Sequence, residues 1–460
     1  MTGDGQLMLQ EELARLVGEE NVLSGDDPLY LHDATETRGI GGRADAVCLP
    51  RSTEEVAAVL AWCYERGVPV VPRGGGTGYA GGAVPVDGGV VLALERMSRV
   101  RAFEPELWRM HVEAGVSTAR VRALARENGL LFPPDPGAAE QSQIGGNIAT
   151  NAGGPHAFKY GITGHWVTGL EAVVPPGEPI VLGGPIRKDV AGYDLKSLLI
   201  GSEGTLGIVT AAWLRLIPAP ETTLPVVAFY RDTRAGCSAI GRVVGSGLVP
   251  AALEYLDAGA LRAAAGSFPS GAPTDARFAV LAEADGANEE AERLRAELVE
   301  ALEQDALALR TPATSRETSD LWRWREGIAF AVSAIHGGKA GEDVVVPLDR
   351  LAEAIEETVA IGRHHGLDAC SWGHAGDGNV HANFLLDPES EDDLERARVA
   401  GEEVFAMAIR LGGSISGEHG IGWTKRGWLE RQWGPRAFKL HRAVKETFDP
   451  KGLLNPGKKV

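Results

Sequence analysis

Val70-Val71-Pro72-Arg73-Gly74-Gly75-Gly76-Thr77-Gly78-Tyr79-Ala80-Gly81-Gly82 joins a short β-branched run to a stretch largely cleared of side chains. Glycine at that density serves a backbone that something must approach closely. Successive amide N–H groups in such a loop converge on one concave point, which suits a phosphate or pyrophosphate. The letters Gly76-x-Gly78-x-x-Gly81 also fit the dinucleotide fingerprint, but that motif needs a helix to open in the loop. No helix interior accommodates Gly81, Gly82, Pro85, Gly88 and Gly89. Val90 to Leu94 then reads as another strand. The reading is strand, phosphate loop, strand; its competitor is a glycine-rich surface hairpin.

At 460 residues the chain exceeds the size at which one hydrophobic core stops growing, so two or more domains are expected. Its 60 glycines are about twice the usual share and gather in three tracts, which implies backbone shaped around a large ligand. A net charge of −18, from 45 basic and 63 acidic residues, opposes nucleic acid or an anionic membrane as a general partner. Cys48, Cys63, Cys237 and Cys370 show neither disulfide nor zinc-finger spacing, which fits a reducing compartment. Without a signal-like N-terminus or a bilayer-length apolar run, the expectation is a cytoplasmic protein with no integral membrane segment.

Leu7, Leu9, Leu13 and Leu16 give a short helical pattern, and Asp45 to Pro50 an entering strand. Ser52-Thr53-Glu54-Glu55 is a capping box for a helix whose apolar face is Val56, Val59, Leu60 and Cys63, stopped at Gly67. A strand over 109–115 and a helix from Ser117 to Gly129 lead to the second tract. It runs from Pro133-Pro134-Asp135-Pro136-Gly137 through Gln143-Ile144-Gly145-Gly146-Asn147-Ile148-Ala149-Thr150-Asn151-Ala152-Gly153-Gly154. Its small residues let a flat ring lie against the chain, and Asn147, Thr150 and Asn151 supply hydrogen bonds without charge. The third tract, Gly192 to Thr210, includes Ser202-Glu203-Gly204 and enters a strand from Ile208 to Leu216.

These three tracts, in this order and spacing over roughly 42–220, resemble the flavin domain of the vanillyl-alcohol oxidase and para-cresol methylhydroxylase relatives, where the dinucleotide lies between two α+β subdomains. By that resemblance Pro72, Arg73, Gly74, Gly75, Gly76, Thr77, Gly78 and Gly81 wrap the pyrophosphate. Pro134, Asp135 and Pro136, then Gly145, Gly146, Asn147, Ala149, Thr150, Asn151, Gly153 and Gly154, with Gly161, line the dinucleotide. Glu203, Gly204, Ile208 and Val209 contact it again. Such relatives sometimes bind flavin covalently through histidine or cysteine. Residues 74–82 contain neither, so non-covalent FAD is expected.

Between 225 and 310, strands over 226–230, 252–256 and 277–284, a helix around 238–244 and a helix over 288–302 capped from Asp285 follow a ferredoxin-like order. Phe330 to Gly341 is read as cap loops. Further on, Trp372-Gly373-His374-Ala375-Gly376-Asp377-Gly378-Asn379-Val380-His381-Ala382-Asn383-Phe384 carries two histidines around a glycine turn. In a strand over 380–384, His381 and Asn383 share a face. Ser416-Gly417-Glu418-His419-Gly420 adds a carboxylate and another histidine. Two imidazoles and a carboxylate with open positions suit zinc, manganese or iron(II); the competing reading makes Glu418 and His419 a capping or hydrogen-bonded pair.

This pattern is similar to flavoenzymes that oxidise D-2-hydroxy acids, D-lactate and D-2-hydroxyglutarate dehydrogenases and the flavin subunit of glycolate oxidase, and the resemblance covers nearly the whole chain. The resemblance implies His374, His381 and Glu418 as metal ligands, His419 as the base, Asn383 as a substrate-contacting amide, and Arg325 with Lys339 on the substrate carboxylate, hydride passing to flavin N5. The hydroxyglutarate enzymes carry a threonine four residues after the arginine; Ala329 stands here and counts against that diacid. The Asn455-Pro456-Gly457 tail is expected to return to the flavin, with Asn455 as a contact.

The resulting expectation is an α+β protein with a helical lead-in (1–41), an FAD domain (42–220), a cap domain with a ferredoxin-like sheet and the metal site (221–424), and a returning segment (425–460). It would oxidise a D-lactate- or glycolate-type acid and pass electrons to a quinone, a cytochrome or an electron-transfer flavoprotein. The rivals are an oxygen-using oxidase of the same fold and a flavin subunit active only in a multiprotein complex. Monomer, homodimer and complex component are all left open, as is attachment to the inner membrane through a partner.

Overall fold

Strand direction excludes the hairpin reading of the glycine loop. The computed structural model describes residues 3–269 and 271–460. Its first sheet comprises β1 (Val22–Ser24), β2 (Ala46–Cys48), β3 (Val70–Arg73) and β4 (Val90–Ala93), in the order β1-β2-β4-β3. β3 and β4 are parallel, Val70 opposite Val90 and Arg73 opposite Ala93. A hairpin joins only antiparallel strands. Residues 74–89 therefore carry the chain back across the sheet end, and they do so without a helix, as Pro85 and the glycines require.

The helix Thr53–Arg66 packs on this sheet. Ser52 Oγ accepts the Glu55 amide at 3.3 Å, and Gly67 in the left-handed region ends it. Val56, Val59, Leu60 and Cys63 are buried as the pattern required. The return arm of the capping box is displaced by one residue: the Glu55 carboxylate takes the Arg51 amide (2.8 Å). In the helix Gly3–Val17 the buried face is Leu9, Leu13 and Val17, and Leu7, two residues from Leu9 and so nearly opposite it, is exposed.

β5 (Val100–Glu104), β6 (Arg109–Glu113), β7 (Leu130–Leu131), β8 (Val167–Val174), β9 (Glu178–Gly183), β10 (Ile208–Arg215) and β11 (Ile217–Pro218) follow. Five of them form an antiparallel sheet in the order β5-β6-β10-β8-β9, and β7 pairs with β11. Within the second tract, read as lining the dinucleotide, Ile144–Thr150 is a short helix. A Cβ on Gly145 would lie 2.7 Å from the Ala114 side chain, so close packing on the end of β6 overrides the weak helix propensity of glycine. The helix Leu429–Phe448 breaks at Gly434, before Pro435. After it, Leu454 bridges Val70 in parallel, extending the first sheet.

Residues up to Gly153, Ile162–Pro218 and Glu418–Val460 make one unit; Gly154–Gly161 and Ala219–Gly417 make a second. Gly154 and Gly161, read with the flavin domain, thus group with the second unit, and the returning segment starts at Glu418 instead of residue 425.

The second unit is one antiparallel sheet of β12 (Thr222–Tyr230), β13 (Ala252–Leu256), β14 (Phe278–Gly286), β15 (Ala308–Arg310), β16 (Gly338–Val345), β17 (Ala369–His374) and β18 (Asn379–Leu386). Its order is β15-β12-β14-β13-β17-β18-β16. The first four strands, with helices Thr233–Gly245 and Asn288–Glu303, are the ferredoxin-like unit. The rest repeats the same βαββα order through β16, helix Leu351–His364, β17, β18 and helix Glu391–Arg410. The two halves meet where β13 pairs with β17, and Ser414 bridges Val345 as β15 pairs with β12. The stretch read as cap loops is the helix Ile328–His336 running into β16. Asp285 does not cap the 288–303 helix: Glu221 accepts the Asn288 amide (3.1 Å), and Asp285 binds Lys159 and Tyr160.

Candidate active site

In the first unit the three glycine tracts and the tail converge through main-chain contacts. The Glu203 amide donates to Ala149 O (2.7 Å) and the Gly201 amide to Ile148 O (2.9 Å), laying the third tract on the second. A Cβ on Gly74 would meet Gly146 Cα at 3.2 Å, and one on Gly75 would collide with the Gln141 carbonyl, so the first tract also lies against the second. Asn455 Nδ2 donates to Gly82 O (2.9 Å) and Glu203 O (2.7 Å), tying the tail to the first and third tracts.

The amide side chains of the second tract are spent on the protein itself. Asn147 Nδ2 donates to Thr118 Oγ1 (2.6 Å), Thr150 Oγ1 to Gly146 O (3.1 Å), and Asn151 Oδ1 accepts the Gly164 amide (2.8 Å). Pro134 is buried, and Asp135 and Pro136 are half-buried beyond it. Ile208 and Val209 are buried at the start of β10. Arg73, at the head of the first loop, is buried. Its Nη2 donates to Leu29 O (2.7 Å), but its Nη1 has no partner. Burial lowers its pKa, and Asp33, Tyr30 and Glu95 oppose that shift. A guanidinium N–H unpaired in a dry place, beside amides held open by glycine, fits the pyrophosphate of a dinucleotide.

The loop 418–422 belongs to this assembly. The His419 ring stacks on Tyr79 with centroids 4.6 Å apart. Glu203 accepts the amides of Ile421 (2.9 Å) and Gly422 (2.6 Å), and a Cβ on Gly153 would lie 2.6 Å from Glu418 Oε2. Glu203 thus serves as a backbone clamp; as a carboxylate among uncharged neighbours in the third tract it gave no sign of that in the sequence.

In the second unit, strand register gathers the chemistry on one face. His381 stands opposite Trp372 and Asp343, Asn383 opposite Gly341, and His374 opposite Glu254. Because alternate residues share a face, Lys339, Asp343, His374, His381, Asn383 and Glu254 all lie on the same side. The His374 and His381 rings meet edge to face with centroids 5.2 Å apart. Lys339 Nζ donates to Asn383 Oδ1 (3.0 Å), and Asn383 Nδ2 to His381 O (2.7 Å). Asp343 accepts the Gly417 amide (2.9 Å) and the Ser416 hydroxyl (3.0 Å), and its Oδ1 lies 3.9 Å from His381 Nδ1.

Arg325 reaches this face from the helix Ser315–Glu326, where its Nε (2.9 Å) and Nη2 bind Glu254. The other oxygen of Glu254 faces His374 Nδ1 at 2.6 Å. Burial alone would push the Glu254 carboxyl up, but the imidazole and guanidinium beside it outweigh that and hold it down to about 2. Neither Glu254 nor Asp343 was legible as a site residue; the available signal was one carboxylate in the otherwise uncharged strand Ala252–Leu256. A carboxylate on Nδ1 of His374 leaves Nε2 as the nitrogen that would ligate, the arrangement usual for a metal-bound histidine. The donor set therefore fits a divalent metal.

A backbone cradle for a dinucleotide and a sheet face of imidazole, guanidinium and ammonium groups define a flavoprotein oxidoreductase. Residues 44–183 match the family described as FAD binding domain, and residues 219–459 match FAD linked oxidases, C-terminal domain. The chain belongs to the FAD-linked oxidases. It is 37% identical to the glycolate oxidase subunit GlcD of Bacillus subtilis, over 98% of this chain and 96% of the relative. It is 35% identical to a D-lactate dehydrogenase of Anaerostipes hadrus, over 96% and 95% of the two chains. Against a D-2-hydroxyglutarate dehydrogenase of Stutzerimonas stutzeri it is 35% identical, over 98% of each. The fold matches p-cresol methylhydroxylase with a TM-score of 0.82 at 17% identity, covering 99% of this chain and 97% of that one. The vanillyl-alcohol oxidase-type fold read from the glycine tracts is the fold found. Among the described residues no helix is long and apolar enough to cross a membrane.

Proposed function

We propose that the protein oxidises a small D-2-hydroxy acid of the lactate or glycolate type to the 2-oxo acid, using non-covalent FAD and a divalent metal held by His374, His381 and Glu418. The observation that carries this reading is the shared face of the second-unit sheet, where two imidazoles meet beside the cations Lys339 and Arg325. Glu418 follows directly on Gly417, whose amide Asp343 holds near His381. When bound, FAD supplies the two-electron acceptor and the metal supplies Lewis acidity toward the hydroxyl.

The protein's own groups do the rest. Arg325 offers a planar fork to the substrate carboxylate, and Lys339 adds a second charge. Asn383, oriented by its bonds to Lys339 and the His381 carbonyl, contacts the substrate. His419, held by its stack on Tyr79, takes the hydroxyl proton as general base. Electrons then leave for a quinone, a cytochrome or an electron-transfer flavoprotein. Similarity to a protein named as a glycolate oxidase subunit supports a second reading, in which turnover needs partner chains.

Anaerobic mixing of the yellow protein with D- and L-2-hydroxy acids, followed near roughly 450 nm, reads electron arrival on the cofactor. Bleaching by a D-acid alone is expected. Absence of bleaching with FAD and metal both bound would shift the reading to the partner-dependent subunit.

A further inference from the structure

We propose that Glu254 is a positioning residue which, through one buried carboxylate, sets both the tautomer of His374 and the aim of Arg325. This rests on the reading of His374 as a metal ligand and Arg325 as the group that binds the substrate carboxylate. Glu254 is 0% exposed, in a strand whose other residues are Ala252, Leu253, Tyr255 and Leu256. Burying a charged carboxylate costs several kcal/mol unless every lone pair finds a partner. Its partners come from two different elements: His374 Nδ1 from β17 at 2.6 Å on Oε1, and Arg325 Nε from the 315–326 helix at 2.9 Å on Oε2, with Nη2 beside it. The register of β13 against β17, Glu254 opposite His374, fixes the first contact by backbone pairing.

The chemistry of the pair follows from donor and acceptor counting. An ionised carboxylate only accepts, so His374 holds its proton on Nδ1 there, and the neutral, metal-binding form of the ring then has its lone pair on Nε2. The same carboxylate occupies Nε and Nη2 of Arg325 and so settles which way its remaining N–H groups point. One side chain thereby fixes the two groups that must act on a hydroxy acid together, one toward the metal and one toward the carboxylate. An amide at 254 accepts on one side and donates on the other. With its oxygen toward Arg325, its N–H donates to His374 Nδ1 and selects the opposite tautomer, with the proton on Nε2.

The test measures zinc affinity by competition with a chromogenic chelator, on FAD-loaded protein first stripped of metal. Wild type is compared with Glu254→Gln, Arg325→Met and the double variant, with His374→Ala as reference and near-ultraviolet circular dichroism as the fold check. Glu254→Gln should weaken zinc about 10–100-fold, and Arg325→Met should leave it within a few-fold of wild type. Because the double variant contains no unpaired buried charge, it separates the alternatives. Zinc binding still weakened in the double variant supports positioning of His374; affinity restored to wild type would show that Glu254 only neutralises Arg325 and would overturn the proposal. Wild-type zinc affinity indifferent to His374→Ala would instead overturn the ligand assignment beneath it. A KM for the D-acid that rises more than kcat falls in zinc-saturated Glu254→Gln supports the Arg325 half of the claim, and a KM unchanged there overturns that half.

Discussion

In the first unit the converging groups are main-chain amides and carbonyls cleared of side chains, at Gly74, Gly75, Ala149, Gly201 and Glu203, whereas in the second they are the side chains of His374, His381, Arg325 and Lys339 standing on a regular sheet. The two build methods fail differently. A site made of backbone tolerates the loss of a side chain but not the addition of one; a site made of side chains on strands tolerates neighbouring changes but depends on each functional group and on whatever holds it.

His419, proposed as the base, combines the two methods: a side chain stacked on Tyr79 and carried on a backbone-built loop. Its replacement by alanine should lower kcat by about 10²–10⁴-fold, the usual weight of a general base, while FAD remains bound at wild-type stoichiometry. Loss of the yellow colour in that variant would break the comparison, since the cradle would then depend on a side chain. Gly75→Ala asks the converse question. Its Cβ would run into the Gln141 carbonyl, and because backbone cannot swing away, the first unit should lose about 1–3 kcal/mol. FAD retention and the melting temperature should both fall. Unaltered FAD occupancy would contradict the account of the loop.

The last test concerns the tail. Lys458 is buried, donating to Val84 O (2.7 Å), and burial depresses its ammonium from 10.5 to about 8, with Asp87, Asp33 and Glu203 opposing. The folded chain thus binds this proton more weakly than the unfolded chain does. Its contribution to stability therefore rises with pH between about 8 and 10.5, by up to about 1.4 kcal/mol per pH unit. Lys458→Met should flatten that part of the difference curve in urea titrations run across this range; equal slopes in the two proteins would contradict it.

The same contrast explains what could be read from the chain alone. Backbone-built features announce themselves in composition: the loop at 74–82 needs glycine, and the cap at Ser52 needs a side-chain oxygen to accept the Glu55 amide. Side chains proposed as metal ligands, such as His374 and His381, are chemically conspicuous at their spacing. Residues that act by holding others are not. Glu254 and Asp343 look like any strand carboxylate until register sets them opposite His374 and His381. The helix at 144–150 was hidden because Gly145 and Gly146 argue against helix locally, and only packing on Ala114 reverses that. Ala287, at the N-cap of the 288–303 helix, bears no cap chemistry at all, and Glu221 from elsewhere in the chain supplies the bond.

The bond from Asn455 to Gly82 spans 373 positions, and the whole contiguous part of the second unit lies between them. During synthesis the glycine loop therefore emerges long before the residues that fasten it, and 219–417 can complete its sheet while the first unit still waits for its closing strand. The order of assembly is thus written into the path of the chain: the sheet is available first and the cradle closes last.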